Sequence, residues 1–327
     1  MIPKKFFGTY DPRPGADSLV AMSVALLEEQ KKTWPQLSRG YEGLNSVRVR
    51  DLLCHGFSVR LQYNAARIVS SGAKVDAQSI KERKCFLCVE NLPSEQKGIL
   101  YREKFLVLCN PAPIFPRHYT ISSVTHIPQE LGSSIGAFLL LAKDLSPSFT
   151  VFYNGPKCGA SAPDHLHFQA SPAGTIPVEI DARADDRRIL LKKGSSVSYW
   201  RLKDYGREVL VVESSDAKDL EADLIRVMKT FGIVLGTTDE PMVNVLCSYE
   251  DTIWRVIIFP RSKHRPDVYF LEGEARILVS PASVDIGGLV VTPVEKDFLR
   301  IDAAMIEDIF QEVTIGHDTM EKITALL

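Results

Sequence analysis

His165-Leu166-His167-Phe168-Gln169 sets polar and apolar side chains in strict alternation, the pattern of a strand with one face buried. Leu166 and Phe168 would pack into a core. Two imidazoles and a carboxamide would then stand in a row on the opposite face. Ahead of them runs Asn154-Gly155-Pro156-Lys157-Cys158-Gly159-Ala160-Ser161, whose glycines permit tight turns and whose backbone N–H groups can face an anion. Such a strand is either a solvent-facing edge or the wall of a site.

Cysteine and histidine spacing bears on that choice. Of six cysteines, only Cys85 and Cys88 are close in sequence. A C-x-x-C pair with two later histidines supplies the four N/S ligands of a tetrahedral metal site, here zinc. The set is Cys85, Cys88 and His165 with either His126 or His118. Its members come from distant segments, so the ion would staple a larger fold. Two reduced, buried thiols are the plainer alternative.

The flanking sequence gives an α+β pattern with a mainly antiparallel sheet and flanking helices. Helical spacing covers 16–33, 128–143, 216–231 and 302–313. Strands are expected near 46–50 and 57–63, with Val47, Val49, Phe57, Val59 and Leu61 inward and Arg48, Arg50 and Arg60 outward. Further strands are expected at 99–109, 117–124, 148–154, 165–170, 197–202, 208–213, 242–248 and 253–259. The Pro-, Gly- and charge-rich stretch 171–196 reads as a linker, which divides the chain into 1–190 and 191–327.

The 39 basic and 41 acidic residues leave a net charge of −2, so no whole-chain field favours nucleic acid or an anionic membrane. No apolar run reaches the ~18 residues of a membrane span. MIPKKFFGTYDPRPG at the N-terminus has no apolar signal core, and the cytoplasm is the expected location.

Four motifs taken together resemble the histidine-triad superfamily. They are C-F-L-C at 85–88, N-P-A-P-I-F-P-R-H at 110–118, the histidine at 126, and N-G-P-K-C-G-A-S-A-P-D-H-L-H-F-Q at 154–169. Their order is similar to the branch of galactose-1-phosphate uridylyltransferases, diadenosine tetraphosphate phosphorylases and GDP-hexose phosphorylases. Q-Y-N-A-A-R at 62–67 also resembles the last of these. The resemblance implies a histidine-triad-like fold of two related halves, the first carrying the active site and zinc site, the second degenerate.

It also implies roles. His167 matches the nucleophile that attacks the α-phosphorus of a nucleotide, a task suited to neutral imidazole. Cys85, Cys88, His126 and His165 match the zinc ligands. Ser161 with the Gly159–Ala160 backbone matches the loop holding the departing phosphate. Asn154 matches a residue that orients the nucleophile, Asn110 one near the ribose, and Arg117 a phosphate contact, with His118 beside it. Gln169 stands where the hydrolases carry a third histidine. An amide has no proton to exchange at neutral pH, which suits an anionic acceptor and favours transfer or phosphorolysis over hydrolysis. The insertion Ala162-Pro163-Asp164 departs from the uridylyltransferases. Asp164 could contact the metal or an arginine, or cap a turn.

The implied function is a phosphorylase or nucleotidyltransferase acting on a nucleoside-diphosphate sugar, GDP-hexose first, through a histidine–nucleoside monophosphate intermediate. The alternatives are a diadenosine polyphosphate phosphorylase, a silent nucleotide-binding protein, and a redox protein using Cys85 and Cys88. The expected partners are a small-molecule nucleotide or nucleotide-sugar and phosphate, without nucleic acid or membrane, and a homodimer is among the expected assemblies.

In the second half, Asn244 lies thirteen residues before Ile257, as Asn154 does before His167. Arg255, Ile257 and Phe259 would then replace the two histidines and the glutamine. The basic run Arg261, Lys263, His264 and Arg265 is either a solvated loop or a phosphate contact reaching the first half. Ser70-Ser71-Gly72-Ala73-Lys74 could serve similarly, although it lacks P-loop spacing.

Overall fold

The structure is a computed structural model that describes residues 5–68, 72 and 76–327. Of the segment 70–74 only Gly72 is among them, so its phosphate reading falls outside the described residues. The strands are β1 (Phe6–Tyr10), β2 (Arg48–Leu53), β3 (Ser58–Tyr63), β4 (Gly98–Tyr101), β5 (Phe105–Cys109), β6 (Tyr119–Ser123) and β7 (Phe149–Asn154). They continue as β8 (His167–Pro172), β9 (Arg188–Lys193), β10 (Val197–Leu202), β11 (Leu210–Ser214), β12 (Val243–Glu250), β13 (Ile253–Pro260) and β14 (Leu289–Thr292). Eleven of them form one sheet in the order β1-β4-β5-β6-β8-β7-β12-β13-β11-β10-β9, and the others form a small sheet, β14-β3-β2. The large sheet is antiparallel except at β1–β4. The fold is α+β, as the sequence pattern implies.

Outward from the β7–β12 contact the order is β7, β8, β6, β5, β4 on one side and β12, β13, β11, β10, β9 on the other. A helix precedes each innermost strand, Ile135–Asp144 before β7 and Ala217–Leu235 before β12. The halves thus share one topology and are fused into a single sheet. Strand alternation sends Val212, Val245, Cys247 and Val256 to one face, where they pack with Phe138, Leu139, Leu224 and Phe231 of those helices. Val211, Leu246, Ile257 and Phe259 go to the other face, beneath Val59 and Leu61 of the small sheet and the helix Ala303–Val313.

Several expectations change in detail. The stretch 99–109 is a hairpin, not one strand: Arg102 and Glu103 both take positive φ (47° and 60°), and Arg102 is held there by an ion pair to Asp144 at 2.8 Å. The segment 171–196 is folded rather than a linker, because buried Glu179 gathers Thr150 Oγ1, Gly174 N and Ile176 N around its carboxylate and β9 joins the sheet edge. Val49 is exposed, while Arg50 and the still-exposed Arg48 lie over the Phe298 ring; β2 is an edge strand whose covered face is aromatic. The helix expected over 128–143 starts at Ile135, after a 3-10 turn at Gly132–Ser134.

The thirteen-residue spacing does not express an equivalence. Asn154 ends β7, Asn244 is the second residue of β12, and the two are direct cross-strand neighbours. Arg255, Ile257 and Phe259 lie inside β13. The end of the second half that corresponds to the histidine loop is the two-residue turn Asp251-Thr252, with φ of 49° and 65°.

That turn supplies a test. A β-branched residue in the left-handed region costs ~1–2 kcal/mol, against ~0.5–1 kcal/mol of extra unfolded-state entropy for glycine. Thr252→Gly should therefore raise unfolding free energy by about 0.5–1 kcal/mol in urea titrations. A loss of stability would contradict the assigned turn.

Candidate active site

A short turn, with Cys88 N donating to Cys85 O at 3.4 Å, brings two thiols together ahead of β4. His126 follows β6 and His165 precedes β8. These four residues place one ligand atom each within 4.8 Å of one another. Cys85 Sγ lies 3.3 Å from His165 Nδ1, Cys88 Sγ 3.2 Å from His126 Nδ1, and the two Nδ1 atoms 3.2 Å apart. A tetrahedral ion with bonds of ~2.0 Å to nitrogen and ~2.3 Å to sulfur would give edges of about 3.3–3.8 Å, so the set fits a metal. His165 Nε2–H donates to Ser123 O at 2.8 Å, which turns the Nδ1 lone pair inward. His118 stands apart from the set. Asp164 accepts from Arg83 at 2.6 Å.

The same strand carries His167 into a different environment. Its Nδ1–H donates to the His165 carbonyl at 2.8 Å, leaving the Nε2 lone pair unengaged among the described residues. Burial holds the imidazole down to about 4, against the pull of that carbonyl, so the ring is neutral at pH 7. Strands β7 and β8 pair only as far as Phe152↔Gln169. Beyond that point they part, and the Gln129 side chain bridges the gap. It donates to Asn154 O (2.9 Å) and His167 O (3.0 Å) and accepts from His167 N (2.7 Å).

Gln169 is oriented without ambiguity. Ile114 N–H donates to His118 Nδ1 at 3.2 Å, so His118 carries its proton on Nε2 and gives it to Gln169 Oε1 at 2.9 Å. Burial, reinforced by Arg67, holds His118 at about 3 and neutral. The Gln169 amide group is thus the end left to face a ligand, as a donor.

His167, Gln169, Ser161, Gly159, Asn154 and Asn110 line one cavity of about 480 Å³. Gly159 has φ +92°, and a Cβ there would meet Ala282 Cβ at 2.5 Å; the loop turns and packs closely only with glycine. Ala160 is buried and outside the cavity wall, and Arg117 is exposed and away from it. The wall instead carries Arg67, Arg83 and Arg265. Arg67 has one hydrogen-bond partner among the described residues, Ala112 O at 2.7 Å. Arg83 Nη1 is buried without a partner among them. Of the basic run, Arg265 reaches the cavity, Lys263 pairs with Glu312, and Arg261 is wholly buried. Phe86 and Leu87, between Cys85 and Cys88, also form part of the wall.

Gln129 and Arg83 carry no motif that would mark them; Gln129 matters through distant backbone and Arg83 through the distant Asp164 carboxylate. Arg67 ends the Q-Y-N-A-A-R segment, which was its only signal.

Comparison with protein families matches residues 26–172 to a domain of unknown function (DUF4922) and 181–327 to the GDPGP1-like C-terminal domain. No curated protein matches. The fold is similar to yeast Ap4A phosphorylase Apa2 in complex with AMP, with TM-score 0.56 and 16% identity over 89% of this chain and 97% of that one. The same yeast protein in complex with Ap4A gives TM-score 0.51 and 13% identity over 86% and 97%. The fold is histidine-triad-like. Residues 181–327 thus match the GDPGP1-like family model, and the whole chain has the fold seen in that Ap4A phosphorylase.

The Gln129 bridge can be tested by removing its polar atoms. In Gln129→Leu three buried backbone groups lose their partners, at ~1–3 kcal/mol each. The variant should lose at least about 3 kcal/mol in urea unfolding; a loss below ~1 kcal/mol would show that the bridge is dispensable.

Proposed function

We propose that the protein is a nucleotide phosphorylase or nucleotidyltransferase whose first-choice substrate is a nucleoside-diphosphate hexose, GDP-hexose above all. His167 Nε2 attacks the α-phosphorus, the bond to the bridging oxygen breaks, and hexose 1-phosphate departs as an anion. Orthophosphate then attacks the phosphoramidate, His167 leaves as neutral imidazole, and a nucleoside diphosphate is released. The observation that carries this reading is the tautomer chain at β8, which presents a lone pair at His167 and donors at Gln169. Neither departing nor attacking phosphate requires a proton from the protein, so an amide suffices where a hydrolase would need an acid. Arg67, Arg83 and Arg265 would neutralise the phosphates. In this reading 1–190 holds the chemistry and 191–327 is a degenerate half that closes the cavity. The likeness to Ap4A phosphorylase supports a second reading, phosphorolysis of a dinucleoside polyphosphate.

Incubation with α-³²P-labelled nucleoside-diphosphate sugars and dinucleoside polyphosphates, followed by acid and alkali treatment, tests the chemistry. Acid-labile, alkali-stable label is expected on the wild type and none on His167→Asn, whose turnover with phosphate should fall by at least about 10⁴-fold. Label retained on His167→Asn would refute the nucleophile. The substrate releasing most nucleotide in the presence of phosphate decides between the two readings.

We further propose that the two-thiolate, two-imidazole set holds structural zinc, which such donors select. Zinc would gather charge from the thiolates and fix the Cys85–Cys88 turn. It takes no part in the chemistry. One equivalent of zinc per chain is expected by elemental analysis and should be lost in Cys88→Ser. Nucleotide affinity should fall with it, because Phe86 and Leu87 leave the wall. Full nucleotide affinity in a zinc-free variant would contradict the coupling.

A further inference from the structure

Arg261 is 1% exposed, and its donors all go to neutral acceptors. Nε donates to Val313 O (2.9 Å), Nη1 to Pro281 O (2.9 Å) and Asn244 Oδ1 (2.5 Å), and Nη2 to Lys263 O (3.0 Å) and His264 O (3.2 Å). All five N–H groups of the guanidinium are used. No carboxylate lies within ion-pair distance among the described residues. The acidic groups that act on it at longer range are the Cys158 thiol, which burial holds protonated, and Asp285, which spends its oxygens on Ala282 N and Val291 N. A buried cation without a counter-ion is costly, and the hydrogen bonds alone do not need the charge.

The chain of contacts leads from this cation to the cavity. Asn244 is 0% exposed and Asn154 5%. Asn244 receives Arg261 on Oδ1 and donates through Nδ2 to Asn154 Oδ1 (3.0 Å) and Cys158 O (2.8 Å). Asn154 Oδ1 also accepts from Ser283 N at 2.8 Å. Arg261 and Ser283 N only donate and Cys158 O only accepts, so neither carboxamide can flip. Both amide dipoles therefore point their positive ends from Arg261 toward the cavity. The last group in line, the Asn154 amide, has no partner among the described residues and stands in the wall beside His167.

Given the phosphoryl chemistry proposed at His167, we infer that Arg261 is a positioning residue for the anion. Its unpaired charge, relayed by Asn244, fixes and polarises the Asn154 amide as a donor to the phosphoryl oxygens. Arg261 thereby contributes to the reaction from the second half without touching the substrate. Bound phosphate is the counter-ion that Arg261 lacks.

The test separates charge from shape. Isothermal titration of the full chain uses adenosine, AMP and ADP, the guanosine series in parallel, and inorganic pyrophosphate, at one ionic strength. Wild-type affinity should rise with ligand charge. Arg261→Met should leave nucleoside affinity within about twofold and lose about tenfold per unit of ligand charge, with Arg261→Lys recovering part of the loss. If Arg261→Met does not fold, Asn244→Asp keeps the shape, pairs Arg261 with a carboxylate and turns an oxygen on Asn154; the same charge-graded loss is expected. A folded variant that weakens nucleoside and pyrophosphate equally, or neither, overturns the inference, as does a wild type indifferent to ligand charge. Charge-graded loss without label on His167 sinks the proposed reaction and leaves the role of Arg261 standing. Label formed at an unchanged rate in Arg261→Met does the reverse.

Discussion

The pairing of β7 with β12 is the constraint on which the molecule rests. Residues Val151–Asn154 meet Asn244–Cys247 in antiparallel register, and this one ladder fuses a six-strand and a five-strand sheet whose five inner strands share a topology. A slip of one residue would send every side chain of β12 to the opposite face. Leu246 would leave one core, Val245 and Cys247 the other, and Asn244 would lose Asn154. The cavity wall takes Arg265, Ala282 and Asp285 from the second half and His167 and Ser161 from the first. Fold and site therefore depend on the same register.

Much of the site was legible because its chemistry is packed into short motifs. Period-two alternation in His165–Gln169 predicted which residues enter the core, and Leu166 and Phe168 do lie there. Spacing alone left His118 and His126 as rival ligands, and only the fold separates them: one joins the thiols, the other braces Gln169. What remained hidden acts through backbone that sequence does not reveal. Gln129 fills a gap between strands that part, and Asn244, thirteen residues before Ile257, is the cross-strand neighbour of Asn154 rather than its repeat. The turns at Arg102–Glu103 and Asp251–Thr252 lack the glycine or asparagine that normally announces positive φ, so one hairpin was read as a single strand.

The two histidines of β8 show how one strand divides labour. The His165 side chain turns toward the thiols while its carbonyl holds the His167 proton. The group that staples the loop thus also sets the tautomer of its neighbour. Gln129 grips His167 from the backbone side, and His118 fixes the amide two residues on. Each reactive atom is held by a partner that is itself buried and fully bonded, which keeps reorganisation small when charge moves. The cost is stored in buried polar groups, Arg261 among them.

The central claim is a two-step transfer through His167, and the stereochemical course at phosphorus tests it most directly. A substrate made chiral at the α-phosphorus by sulfur substitution is converted with phosphate, and the configuration of the product is read by ³¹P NMR. Two successive in-line displacements predict net retention. Inversion would mean that phosphate attacks the substrate directly, and would contradict the covalent intermediate.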